Sequence, residues 1–129
     1  MKKVLFLLLT IILIAPSCKK DNTPTLEGKW HLYKSARVTD GARQESDANS
    51  YYEFAGGNVK ITNEYGYTDD FSYSFDQNNN TIKIGNLDYF VDTFGAKEMV
   101  WRSEGTTFTV VDGKLVKIVE EYYDYFRKE

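Results

Sequence analysis

The chain has 129 residues, a formal net charge of −3 at pH 7 and a single cysteine, Cys18. This length suits one domain, and a lone cysteine excludes an internal disulfide. The acidic balance, without any basic stripe, excludes recognition of nucleic-acid phosphates, so no nucleic-acid partner is expected.

The amino terminus has the pattern of a secretory leader. Lys2 and Lys3 precede an apolar stretch, residues 4–15, which is too short to cross about 30 Å of hydrocarbon as a helix. A charged start, a short apolar centre and small residues before a cleavage site are typical of a signal peptide. The sequence therefore predicts a signal peptide over residues 1–17.

The stretch IAPSC, which ends at Cys18, resembles the lipobox of bacterial lipoproteins. That resemblance implies that Cys18 is acylated, becomes the first residue of the mature protein and anchors it to a membrane. An unpaired cysteine in an exported protein is an oxidation hazard unless it is used, which also favours lipidation. The alternatives are that Cys18 is an unused thiol in a signal peptide that is removed, or a buried thiol in the core.

The lipidated cysteine and the polar, proline-containing segment KKDNTPT form a predicted tether, residues 18–25. Lysine directly after the cysteine resembles lipoproteins sorted to the outer membrane. The short run of lysine and acid also resembles the surface-export signal of Bacteroidetes lipoproteins. These resemblances imply a cell-envelope location at the outer membrane, facing either the periplasm or the surface.

Residues 26–129 alternate apolar and polar side chains in short runs separated by turns, which predicts β-strands. The predicted strands begin with residues 26–38 and continue as two hairpins around the turns AGGN and DQNNN, a strand pair around FGAKE and a hairpin with a type I′ turn at Asp112-Gly113. About eight antiparallel strands can close a small barrel, so an all-β barrel is expected. Residues 39–50, TDGARQESDANS, are predicted to be a long polar loop that covers its open end.

The last segment, KLVKIVEEYYDYFRKE, permits two interpretations. Its apolar residues recur at helical spacing, so an amphipathic helix over residues 115–127 fits the pattern. Its many Val, Ile, Tyr and Phe residues favour a closing strand instead.

Gly28 and Trp30, within LEGKWHLYK, reproduce the Gly-x-Trp that opens the first strand of lipocalins. Together with YYEFAGGNVKI, DYFVDTFGAKEMVW and YYDYFRK, they make the domain resemble the lipocalin-like domains of small Bacteroidetes lipoproteins. The resemblance implies an up-and-down barrel whose closed end is plugged by Trp30, with Arg127 packed over the indole ring. The alternative is that Trp30 is an ordinary core aromatic residue and Arg127 a solvated charge.

Patterns for catalysis, metal binding and cofactor binding are missing from the sequence. His31 is the one histidine and lies on the opposite strand face from Trp30, which directs it to solvent. The run Asp76, Asn78, Asn80 begins like a calcium loop, but Thr81 replaces the required glycine. We therefore expect no enzyme activity, no metal site and no cofactor.

The chain has 10 Tyr, 8 Phe and 2 Trp residues, which could fill the barrel or line a ligand cup. The inward-facing candidates for a cup are Tyr52, Phe54, Phe71, Tyr73 and Trp101. A cavity of at least about 300 Å³ would favour a membrane-tethered module that binds a small apolar or sugar-like ligand. A filled barrel with an exposed apolar patch would favour an accessory lipoprotein that docks onto another envelope protein.

Overall fold

A computed structural model describes residues 24–129 as a closed antiparallel barrel in which each strand pairs with the next and β8 pairs with β1. The strands are β1 (Gly28–Thr39), β2 (Ala42–Ala55), β3 (Asn58–Thr62), β4 (Thr68–Asp76), β5 (Thr81–Ile84), β6 (Leu87–Phe94), β7 (Glu98–Val111) and β8 (Lys114–Lys128). The predicted all-β, eight-stranded, up-and-down barrel is confirmed. The predicted signal peptide and the Cys18 anchor lie outside the described residues.

The final segment is a strand over its whole length, and the helix alternative is wrong. β8 pairs with β7 from Lys114 to Arg127 and with β1 from Glu120 to Lys128. Two flanking ladders use its backbone groups, and its β-branched and aromatic side chains suit a pleated surface. This strand closes the barrel.

The predicted polar loop over residues 39–50 is also wrong. Asp40 and Gly41 have φ values of 49° and 78°, so they form the same kind of two-residue turn that Asp112 and Gly113 form with φ values of 51° and 74°. β1 pairs with β2 directly from this turn, beginning with Thr39 opposite Ala42 and ending with Gly28 opposite Phe54. The polar residues therefore extend a hairpin and do not cover the open end.

The strands do not all extend equally far toward the two ends of the barrel. The long strands β1, β2, β7 and β8 rise together at the end that carries the Asp40-Gly41 and Asp112-Gly113 turns, whereas β3 to β6 stop earlier. We call this end the open end. The opposite end, which we call the closed end, holds Leu26, the start of β1 and the carboxyl terminus.

Side chains fill the interior between the two ends. The largest fully buried residues are Trp30, Trp101, Phe54, Phe126, Ile82, Met99 and Val59. Aromatic rings meet edge to face or tilted, for example Trp101 with Phe126 at 4.4 Å and Tyr52 with Phe126 at 5.0 Å between centroids. The middle of the barrel is therefore a packed core.

Candidate functional site

Trp30 plugs the closed end of the barrel. Its side chain is 0% exposed, and its indole Nε1 donates a hydrogen bond of 2.8 Å to the carbonyl oxygen of Leu26. Leu26 is itself buried in the same cluster. The segment before β1 thus folds across this end and satisfies the polar atom of the plug.

The predicted packing of Arg127 on Trp30 is wrong, and Lys128 takes that place. The register puts Lys128 directly across from Trp30, so its Nζ lies 5.2 Å from the indole centroid and donates to the carbonyl oxygen of Thr25 at 3.1 Å. Arg127 lies one position earlier on β8 and therefore on the outer face, where its guanidinium stacks 4.0 Å over the ring of Tyr33.

Glycine is required at position 28 because the side chain of Lys128 approaches its backbone closely. Its φ is 118°, a value that L side chains rarely adopt, and a Cβ there would lie 3.0 Å from Cε of Lys128. The Gly-x-Trp pair therefore acts as one structural unit. Gly28 leaves room for the lysine stem that covers Trp30.

A different chemistry surrounds Trp101, which lies in the packed core with its ring 4.4 Å from that of Phe126. This side chain points inward, as predicted, and is 1% exposed, yet its Nε1–H is buried without a hydrogen-bond partner in residues 24–129. Tyr52 meets its ring at 5.6 Å and Tyr89 at 5.2 Å. An unsatisfied buried donor costs about 1 to 3 kcal/mol, so this indole is a ready donor to a bound acceptor.

A carboxylate joins these aromatic residues. Asp124 lies directly across from Trp101 in the β7–β8 ladder, and its Oδ1 accepts a hydrogen bond of 2.7 Å from the hydroxyl of Ser35. Burial raises the pKa of Asp124, although the Ser35 hydrogen bond opposes this. Burial, with the nearby charge of Asp124, also raises the pKa of Tyr52 and that of Tyr89.

A cleft of about 320 Å³ lies beside this group, where β6 begins and the long strands continue. Its lining residues are Asn86, Leu87, Asp88, Tyr89, Ser103, Glu104 and Tyr122. Tyr89 connects the cleft to Trp101 because it lines the cleft and contacts the indole ring. The cleft offers aromatic faces with carboxylate, hydroxyl and amide groups around them.

The five residues predicted to line a ligand cup separate in the structure. Phe54 is fully buried and contacts Tyr73, so both belong to the packed barrel. Phe71 lies at the rim of the barrel with 41% of its surface exposed. Tyr52 and Trp101 belong to the group around Trp101, and both also contact Phe54, which joins that group to the packed barrel. Ser35, Tyr89 and Asp124, which complete that group, were missed because adjacency across strands depends on a register that one strand does not reveal.

His31 lies on the outer face, as predicted, but is partly covered. Its ring stacks on Tyr51 at 4.7 Å, and Nε2 lies 2.9 Å from Oδ1 of Asn49. Asp76, from the calcium-like run, is used within its own turn, where it accepts hydrogen bonds from the backbone amides of Asn78 and Asn79. Among residues 24–129, no group of three His, Cys, Asp or Glu side chains is placed to hold a metal ion.

The family profile described as a lipocalin-like domain matches residues 9–111 of this chain. The chain belongs to the lipocalin-like domain family. Its fold also matches the crystal structure of a lipocalin-like protein from Bacteroides uniformis ATCC 8492, with a TM-score of 0.50 and 17% identity over 81% of this chain and 98% of that chain. A search of curated proteins gives no match.

Gly28 and Trp30 lie within the region of the chain that the lipocalin-like family profile matches. The Gly28-x-Trp30 pair opens the first strand of a barrel that the structural match shares as a fold. In the described part of the chain, no helix is long and apolar enough to cross a membrane.

Proposed function

We propose that this chain is a non-catalytic lipoprotein of the cell envelope, tethered to the outer membrane through Cys18, that binds a small sugar-like or aromatic ligand at its open end. The observation that carries the proposal is the buried, unpartnered Nε1–H of Trp101 next to the desolvated carboxyl group of Asp124. Perturbed titratable groups and unsatisfied donors that converge beside a cleft are typical of binding sites.

The filled barrel favours a ligand that sits at the mouth over an apolar chain that enters the core. Trp30, Trp101 and Phe126 occupy the interior with at most 1% exposure. The cleft beside Tyr89 is instead lined by two tyrosines, one leucine and four polar side chains. A ring with one apolar face and hydroxyl groups at its edge would stack on Tyr89 or Tyr122 in the cleft and donate to Asp88 or Glu104.

The position of the tether supports the same arrangement. Pro24, the first described residue, lines a pocket with Phe75 and Phe94 at the closed end. A lipid on Cys18 would therefore hold the closed end toward the membrane and direct the open end away from it. Replacing Cys18 with Ala should release folded protein from the membrane fraction, because only the acyl chains hold it there. Continued membrane association of that variant would contradict the anchor.

The ligand is tested with the two tryptophans, because Trp101 contacts Tyr89 of the cleft whereas Trp30 packs against Phe94. Trp30→Phe keeps only Trp101 as an indole emitter, and Trp101→Phe keeps only Trp30. We expect oligosaccharides or flavin-like aromatics to quench the emission of the Trp30→Phe protein saturably and to leave the Trp101→Phe protein nearly unchanged. Quenching confined to the protein that keeps Trp30 would contradict a site at the open end.

A second candidate is an accessory lipoprotein that docks onto another envelope protein, and the rim of the open end favours it. Tyr65, Tyr67 and Leu87 lie in or beside the turns of the short strands with most of their surface exposed. Exposed aromatic and aliphatic side chains of this kind are typical of protein interfaces. Failure of every small molecule to shift Trp101 emission or the melting temperature would favour this candidate.

A further inference from the structure

The hairpin formed by β7 and β8 extends beyond the rest of the barrel. β6 pairs with β7 only as far as Arg102, and β1 pairs with β8 only from Glu120 onward. The remaining part, residues 105–119, which we call the ribbon, has no third strand beside it among residues 24–129. Two-stranded ribbons are marginally stable in water by themselves.

Both faces of the ribbon are apolar. Phe108, Val110 and Leu115 share one face and are 62%, 67% and 71% exposed. Val111 and Val116 are exposed on the other face. A surface of this kind on both sides indicates that something covers the ribbon, since soluble proteins rarely leave contiguous apolar patches open.

The two edges of the ribbon differ in charge. The β8 edge carries Lys114 and Lys117, and lysines on an edge strand oppose pairing with further strands. The β7 edge runs TTFTVV from Thr106 to Val111 without a charged residue. Its backbone groups on the side away from β8 are therefore a template for another strand.

The unpaired β7 edge argues against insertion of the ribbon into lipid. Each backbone N–H or C=O without a partner costs several kcal/mol in hydrocarbon. An added β-strand satisfies these groups and covers apolar side chains at the same time. The occupant that the geometry favours is therefore a strand.

We propose that the β7 edge pairs antiparallel with the β7 edge of a second copy of this chain, which gives a four-stranded sheet in the order β8, β7, β7, β8. This stretch can pair with its own copy, because a two-fold arrangement opposes uncharged residues except Glu104, which falls opposite Val110, and places Lys114 and Lys117 on the two outer edges. Full overlap of residues 103–111 sets Thr107 opposite Thr107 of the second copy. This pairing is independent of any ligand at the open end.

The test is sedimentation equilibrium of the full chain carrying Cys18→Ala, with circular dichroism to verify the fold. We expect a dimer of the 14.9 kDa chain at concentrations of about 10 to 100 μM. Thr107→Lys should raise the dimer dissociation constant at least about tenfold, because it sets two like charges against each other. Val116→Lys, the matched control on the other strand of the ribbon, should leave the dimer intact.

Opposite charges placed at position 107 of two separate proteins make the test specific for the β7 edge. Thr107→Lys and Thr107→Glu proteins should each be monomeric alone and should form a one-to-one dimer when mixed. A parent protein that stays monomeric at about 100 μM would overturn the proposal, as would a dimer that Thr107→Lys leaves unchanged. Loss of the dimer in Val116→Lys with retention in Thr107→Lys would also overturn it, because it would assign the contact to β8.

Discussion

The two tryptophans of this barrel are both buried in its core, and they differ in whether the indole nitrogen has a hydrogen-bond partner. At the closed end, Trp30 donates to Leu26 and lies under Lys128, so its polar atom and its ring face are both used. Trp101 is equally buried, but its Nε1–H has no partner in the described chain. The chain itself satisfies the indole nitrogen of Trp30, whereas that of Trp101 stays without a partner among residues 24–129.

The largest expected difference concerns the indole nitrogen atoms. Trp30→Phe removes a donor and leaves the buried carbonyl of Leu26 unpaired, whereas Trp101→Phe removes a donor that had no partner. We expect Trp30→Phe to lower the free energy of unfolding by about 1 to 3 kcal/mol more than Trp101→Phe. Urea unfolding of the two variants measures the difference. Equal losses would mean that the Trp30–Leu26 hydrogen bond contributes nothing to stability.

The next effect concerns the glycine that accommodates Lys128. Gly28→Ala should cost about 2 kcal/mol, because alanine must adopt a φ of 118° and its Cβ approaches the lysine stem. Gly41→Ala is the matched control, since Gly41 also has positive φ but an alanine Cβ there would meet no atom within 4 Å. We expect the control to cost less in thermal unfolding. A larger loss at Gly41 would contradict the close approach at the closed end.

A smaller effect distinguishes the two basic residues of β8. Lys128→Ala should cost about 0.5 to 1 kcal/mol in the parent and clearly less in a Trp30→Phe background, because the cation and the indole are coupled. Arg127→Ala should cost the same in both backgrounds, since Arg127 stacks on Tyr33. A double-mutant cycle from urea unfolding measures both couplings. Coupling of Trp30 to Arg127 instead of Lys128 would restore the arrangement that the sequence predicted.

The smallest effect is a pH dependence at the open end. Because burial raises the pKa of Asp124 in the folded state, the folded protein holds this proton more tightly than the unfolded chain does. Stability from this group is therefore present in acid and lost as the pH rises through the folded pKa. We expect Asp124→Asn to stabilise the protein slightly at pH 7 and to have little effect below the usual aspartate pKa. A destabilised variant at pH 7 would contradict the raised pKa.

The sequence predicted the eight strands because the barrel wall has an apolar inner face, and alternation in Phe71, Tyr73 and Phe75 or in Met99 and Trp101 records that face. It failed over residues 39–50 because that part of the hairpin rises above the core, so its side chains do not alternate in polarity. The Asp40-Gly41 dipeptide was the available indication, since Asp112-Gly113 was interpreted correctly as a turn.

The candidate site was less predictable than the fold. Inward orientation of Trp101 follows from one strand, but its adjacency to Asp124 and Tyr89 depends on register across three strands. The same limit explains the error at Arg127, because a shift of one residue along β8 moves a side chain to the other face. Alternation predicts that Phe71 faces inward. Its exposure at the rim depends on where the short strands end, which alternation does not show.

The most direct test of the difference between the two ends is a pH titration of the two indole N–H signals in a ¹H–¹⁵N NMR spectrum, assigned with Trp30→Phe and Trp101→Phe. We expect the Trp101 signal to shift with a midpoint above the usual aspartate pKa and to stop shifting in Asp124→Asn, because Asp124 lies directly across from Trp101. The Trp30 signal, hydrogen-bonded to Leu26, should stay still. A titrating Trp30 beside a silent Trp101 would contradict the assignment of the functional chemistry to the open end.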